Sequence, residues 1–399
     1  MADRGPRGRW LHAALLAIGL VAALRLALGM LMGLAWTIGR GSLDPQWLAG
    51  MYGHLRVPES PTGQFLLGVW PRWDAVQHLN LAMRGYFDMG EGSTVFYPLF
   101  AALTRGVSYL FGGNFILAGL AVATVATALA FVFLMALGQH LFGDQAGKWA
   151  AIALAVYPTA VFLIAPFTES LFLAFTLGAF LAAYRNRWIV AAVLAALASL
   201  TRGPGVAAAV SFAILGWLQW RERKTAQRSP SLLAVGIAVL APIVGGAAFL
   251  AWRSYAGFPP MLAVLQEYVG TSVVDPATGL ALALGQWIRV RDAPTTFDLL
   301  SAIAFLGVTG AMIARKRWRR PELLAYMLIN LVVLLSRHTV GAASLKSLSR
   351  YVLVLFPAFL VVGDWLAAVQ PRTRFWYLTA SSCLLLLCSV LYVFWVFLG

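Results

Sequence analysis

Phe115-Ile-Leu-Ala-Gly-Leu-Ala-Val-Ala-Thr-Val-Ala-Thr-Ala-Leu-Ala-Phe-Val-Phe-Leu-Met-Ala-Leu-Gly-Gln-His-Leu141 decides the fold class. The run carries no Asp, Glu, Lys or Arg. It exceeds the roughly 20 apolar residues that a helix needs to cross the hydrocarbon core. Leu11–Trp36, interrupted by Arg25, reads the same way, as do Leu232–Trp252 and Phe375–Leu398. Shorter apolar runs lie between them. Hydropathy predicts an all-α membrane protein with about eleven transmembrane helices, in a range of roughly nine to thirteen. The whole chain, 1–399, reads as one integral membrane domain. Its first apolar segment is longer than the usual signal-peptide core and is read as a retained helix.

Composition agrees. Of 399 residues, 61% are hydrophobic and 11% charged, where a soluble domain carries roughly 25% charged residues. The net charge of +15 comes from 30 Lys and Arg against 15 Asp and Glu. No separate basic domain exists to bind nucleic acid, and none is expected as a partner. The basic residues instead cluster in short segments: Arg4/Arg7/Arg9, Lys148, Arg185/Arg187, Arg221/Arg223/Lys224/Arg228, Arg315/Lys316/Arg317/Arg319/Arg320 and Arg372/Arg374. Placed together in the cytoplasm, as the positive-inside rule directs, they put the N-terminus inside. The longer polar segments, 39–112 and 253–296, then become extracytoplasmic loops. Most acidic residues follow them, so the sequence points to work at the outer face. No phosphate-binding glycine loop, dinucleotide fingerprint, metal-ligand spacing or serine-nucleophile elbow occurs. Cys383 and Cys388 lie in the last apolar segment, without metal-type spacing.

The first loop holds the densest chemistry: Trp70-Pro-Arg-Trp73-Asp74-Ala-Val-Gln77-His78, running on to Gly85-Tyr86. Pro71 suits a helix start and Gly85 a helix end, which predicts a short interfacial helix. Asp74 and His78, four apart, share a face. An acid there can act as general base toward a substrate hydroxyl, or it can cap the helix and pair with Arg72. Glu169 sits at a turn between apolar helices, where an ionisable group is costly. It either serves the site or caps a helix. Arg202, Arg350 and the neighbouring Arg337, His338 and Lys346 can hold a phosphate or meet anionic lipid headgroups.

Taken in order, Trp73-Asp74-Ala75, Gly85-Tyr86, Phe96-Tyr97-Pro98-Leu99-Phe100, Pro158-Thr159-Ala160 through Thr168-Glu169-Ser170, Leu200-Thr201-Arg202-Gly203-Pro204-Gly205 and Ser349-Arg350-Tyr351 resemble the PIG-V family. That family comprises GPI mannosyltransferase 2 and its bacterial relatives. The resemblance spans about 70–350. It implies the GT-C glycosyltransferase fold, with a catalytic acid in the first outer loop. It also implies a hexosyltransferase, in particular a mannosyltransferase, that uses a polyprenyl-phosphate-linked donor such as dolichyl phosphate mannose. Asp74 becomes the expected base. Trp73, Gln77, His78, Tyr86, Glu169, Arg202, Arg350 and Tyr351 are the expected substrate contacts. The acceptor is a glycolipid, glycan or protein, membrane lipids are the other partners, and the expected reaction requires no cofactor or metal. The Ala- and Arg-rich composition points to a bacterial cell membrane. The alternative is a membrane transporter or lipid flippase, disfavoured by the lack of an internal repeat.

Overall fold

The computed structural model describes residues 6–222, 231–339 and 345–396. Arg4, Arg223, Lys224 and Arg228 of the basic clusters lie outside the described residues. The chain is mostly helical, at 81%. Trp10–Ser42, Phe115–Phe142, Gly203–Arg221, Leu232–Tyr255, Ala293–Ala314 and Pro371–Val393 are long and apolar enough to cross a membrane. Leu348–Val354 and Phe356–Ala368, bent by 79° at their junction, make a seventh if taken as one span.

These make six or seven candidate spans among the described residues by length and composition, which does not confirm the expected eleven. Three further apolar helices, Glu169–Tyr184, Trp188–Thr201 and Pro321–Leu335, are shorter. Their ends account for their length. The first begins at Glu169, the second stops just before Arg202, and the third stops two residues before Arg337. Each breaks off where an ionisable side chain must reach a polar interior.

The long helices expose apolar surface of the kind that a lipid bilayer covers. On the first helix, Leu11, Leu15, Ile18, Leu26 and Met30 are each more than half exposed. Inside the bundle, small residues let backbones approach closely, as is common between membrane helices. A Cβ on Gly363 would stand 2.5 Å from the Ala146 carbonyl oxygen, so the Phe356–Ala368 helix can lie flush on Asp144–Ala155.

Between the first helix and Phe115 the chain forms short helices, including Pro45–Tyr52, Asp74–Arg84 and Pro98–Ser108. Gly85 ends the middle one with φ +85°, a conformation that favours glycine. One feature departs from the all-α expectation. Thr271–Val273 pairs antiparallel with Arg337–Thr339, in the register Thr271 to Thr339 and Val273 to Arg337. This two-stranded ribbon ties the 253–296 segment to the residues beside the polar interior.

Candidate active site

Helix ends deliver charged side chains to one place. Asp74 is the first residue of its helix and Glu169 the first of another, positions where a carboxylate is favoured by the helix dipole. Arg202 follows the C-terminus of Trp188–Thr201, and Arg350 sits in the short helix Leu348–Tyr351.

The ion pairs form a chain. Arg350 Nη1 donates to Asp74 Oδ2 at 2.6 Å, and its Nε to Glu169 Oε1 at 2.5 Å. Arg202 Nη1 donates to the same Glu169 oxygen at 2.6 Å and to Thr168 Oγ1 at 2.8 Å. Arg350 is walled by the Phe167 and Phe162 rings, 4.4 and 5.2 Å from its guanidinium carbon. Arg202, Arg337 and Arg350 all lie against the Tyr351 ring, at 5.2, 4.7 and 5.3 Å. Three cations therefore meet two acids, and the cluster keeps an excess positive charge.

The members differ in access. The Arg350 and Glu169 side chains are 2% and 0% exposed, whereas Asp74 keeps 29%. Asp74 opens into a cavity of about 650 Å³ that His78, Tyr97, Arg202, Arg337, Arg350 and Tyr351 also line. Val206 and Val210 on one side, with Ile329 and Val333 on the other, form an apolar wall. Val210 and Val333 are about half exposed on the bundle surface, so the cavity has an apolar flank at that surface.

Burial alone would raise the pKa of the Asp74 carboxyl. The charge and hydrogen bond of Arg350 outweigh it and hold the group below its ordinary value. Burial pushes His78 down to about 4, partly offset by Asp74. His78 is thus neutral near pH 7, with its ring edge-on to Phe96 and Phe100.

Asp74 does not pair with Arg72. Arg72 is fully buried and donates to the carbonyls of Val393, Gly68 and Pro71, and to the Tyr52 hydroxyl. Val393 ends the Pro371–Val393 helix, where a cation complements the dipole. The Trp36 and Trp395 rings flank the guanidinium at 4.7 and 5.0 Å. Arg72 thereby pins the residue before Asp74 to the C-terminal helix. That residue, Trp73, has φ +51°, costly for a side chain of its size. Its ring packs edge-on against Trp395 at 5.5 Å.

Of the expected contacts, the structure brings Asp74, His78, Arg202, Arg350 and Tyr351 to the cavity wall, with Glu169 just behind it. Trp73, Gln77 and Tyr86 lie outside it. Gln77 is exposed: a helix turns about 100° per residue, so Gln77 and His78 point to different sides. Tyr86 instead donates to the Phe96 carbonyl at 2.6 Å and packs on Trp252. Sequence reasoning missed Met261 and Leu265, which roof the cavity from the 253–296 segment; their helix carries no chemical motif. It also missed the clamp on the Arg350 loop. Asp298 Oδ1 accepts from the Ser349 backbone N–H at 2.7 Å, and Thr159 Oγ1 donates to the Ser349 carbonyl at 2.8 Å. A lone acid inside an apolar helix was the available signal for Asp298. Among the described residues, no group of three or more His, Cys, Asp or Glu gathers as metal ligands.

A family model described as dolichyl-phosphate-mannose-protein mannosyltransferase matches residues 97–245. That is well under half of the chain, and it includes Glu169 and Arg202 but not Asp74 or Arg350. No curated protein matches. Among solved structures, ArnT from Cupriavidus metallidurans bound to undecaprenyl phosphate is 15% identical with a TM-score of 0.51, over 96% of this chain and 76% of that one. The same protein in the apo state is 16% identical with a TM-score of 0.49, over 84% and 75%. An oligosaccharyltransferase from Archaeoglobus fulgidus, in complex with zinc and sulfate, is 15% identical with a TM-score of 0.39, over 74% and 44%. This chain therefore shares the fold of ArnT, and its residues 97–245 match the mannosyltransferase family model.

Proposed function

We propose that this protein is a PIG-V-like mannosyltransferase that moves mannose from a polyprenyl-phosphate donor to an acceptor hydroxyl outside the cytoplasm. The observation that carries the reading is Asp74. It is the accessible carboxylate of a cationic cluster, in a cavity that is charged on one side and apolar on the other. A lipid-linked sugar phosphate has that same division.

The prenyl tail lies along Val206, Val210, Ile329 and Val333, and the phosphate meets Arg202, Arg337 and Arg350. Asp74 takes the proton from the acceptor hydroxyl, whose oxygen attacks the anomeric carbon. The bond from that carbon to the phosphate oxygen breaks, and polyprenyl phosphate leaves. A single displacement inverts the anomeric centre, unlike the covalent two-carboxylate route of retaining glycosidases. Fixed guanidiniums beside the departing phosphate stabilise the charge that develops there, commonly a large contribution to rate. Neutral His78 is placed to hydrogen-bond a sugar or acceptor hydroxyl. The mannose assignment follows the description of the matched family.

The test is sugar transfer by the purified protein in lipid, with polyprenyl-phosphate-mannose as donor and membrane extract as acceptor source, read by mass spectrometry. Mannose in the product supports the proposal. Transfer of a different lipid-linked sugar would retain the class and reject mannose. No transfer with any lipid-linked sugar, together with lipid movement across the bilayer, would replace the proposal with the flippase reading.

A further inference from the structure

The Pro321–Leu335 helix separates two cationic sites. Arg337 lies beyond its C-terminus, at the cavity. Arg320 immediately precedes its N-terminus, about 22 Å away by helix rise. There, at the opposite end of the bundle from Asp74, a depression of about 390 Å³ is lined by Lys316, Arg317, Arg319, Arg320, Leu141 and Phe142. No acid lines it. A second cavity of about 530 Å³ shares Leu141, Arg319 and Arg320, and adds Leu215 and Leu218 together with Glu222 and Glu322.

The segment that carries these cations is held in place. Both nitrogens of the Arg317 fork reach Asp364, at 2.6 and 2.7 Å, and Trp318 Nε1 donates to the same carboxylate at 2.8 Å. Arg319 Nε bonds the Ile313 carbonyl at 2.8 Å. The Trp318 N–H closes onto the Arg315 carbonyl, and the Arg320 N–H onto that of Trp318. Asp144, the nearby acid in sequence, is engaged by Gln139. Lys316, Arg319 and Arg320 enter no ion pair among the described residues. The positive-inside rule accounts for basic residues in such a segment. It does not account for a fixed turn that directs them into one depression whose own lining holds no acid and whose edge is Leu141 and Phe142.

We infer that this groove binds a phosphate group, taken from the headgroup of an anionic membrane lipid whose chains lie along Leu141, Phe142, Leu215 and Leu218. Convergent donors around a phosphate and a basic pocket between helix ends suit such headgroups. The inference does not depend on the sugar-transfer reading, because its test reads binding.

The full-length protein is placed in nanodiscs of phosphatidylcholine with one-fifth phosphatidylglycerol, and co-purifying lipid is counted by native mass spectrometry. Wild type retains phosphatidylglycerol preferentially. Lys316→Gln with Arg320→Gln lowers that retention about tenfold or more, the order expected for two basic groups at a headgroup. A charge-matched control, Arg187→Gln with Arg372→Gln, retains the wild-type level. Equal loss in the control, or no anionic preference in wild type, overturns the inference. If millimolar inorganic phosphate displaces the lipid and binds wild type but not the Gln pair, the phosphate site stands and a soluble phosphate is its ligand. Lys316→Glu, at an exposed position outside every ion pair above, repeats the test should the double variant misfold.

Discussion

Replacing Asp74 with Asn separates chemistry from architecture. The amide keeps the shape of the side chain and an oxygen for Arg350. Arg350 also keeps its 2.5 Å contact to Glu169. The stability loss is therefore that of one charge-assisted hydrogen bond at a partly open site, about 1–3 kcal/mol. It falls well short of the cost of breaking a sealed ion pair. The rate loss is larger. A positioned general base contributes about 10²–10⁴-fold, or roughly 3–5.5 kcal/mol of barrier. The expected variant is folded, melts a few degrees lower, binds donor with nearly the wild-type KM and has lost kcat by two to four orders. Transfer kinetics on the purified protein in lipid, with a thermal melt in parallel, measure both. A folded Asp74→Asn protein that retains more than a tenth of wild-type kcat refutes the assignment. The sign of the pH effect is also fixed. Because the folded-state pKa lies below the ordinary value of about 3.9, Asp74 adds stability that is present above that value and lost as pH falls through the folded pKa. Asp74→Asn should flatten the acid limb of the melting profile, and an unchanged limb would contradict the pairing.

Arg350→Ala should cost more stability than Asp74→Asn, about 3–5 kcal/mol, since it leaves sealed Glu169 with only Arg202; a melt within two degrees of wild type would show that the cluster is not as closed as its geometry. His78, held near 4, should put no inflection between pH 6 and 7 into the transfer rate. An inflection there that disappears in His78→Asn would place the imidazole in general acid–base work instead. Asp298→Asn keeps an acceptor for the Ser349 N–H, and Asp298→Leu does not. The Leu variant should lose roughly 1–3 kcal/mol and raise the donor KM through a misplaced Arg350, with Asn restoring most of both. Equal KM values in the two variants would make Asp298 irrelevant to the site.

Local features were legible in the chain. The helix predicted between Pro71 and Gly85 forms as Asp74–Arg84: Gly85 ends it as expected, because glycine acts on its own backbone, while Pro71 lies three residues before its start rather than in its first turn. The apolar runs announced a membrane protein, because spanning demands length and composition that no soluble helix needs. The span count was less legible. Hydropathy weighs every apolar segment alike, while Glu169–Tyr184, Trp188–Thr201 and Pro321–Leu335 end early at the charged interior.

Partner choice belonged to the tertiary structure. Neighbourhood in sequence offered Arg72 to Asp74, two residues away. The fold gives Asp74 an arginine 276 residues distant and turns Arg72 toward Val393. The residue types at 74, 169, 202 and 350 suggested the proposed chemistry, since acids and guanidiniums are what that reaction would use. Which acid stays open to substrate depended on helices packing to seal Glu169 and leave Asp74 at a wall. Burial is a property of the assembled bundle, and no spacing along the chain encodes it.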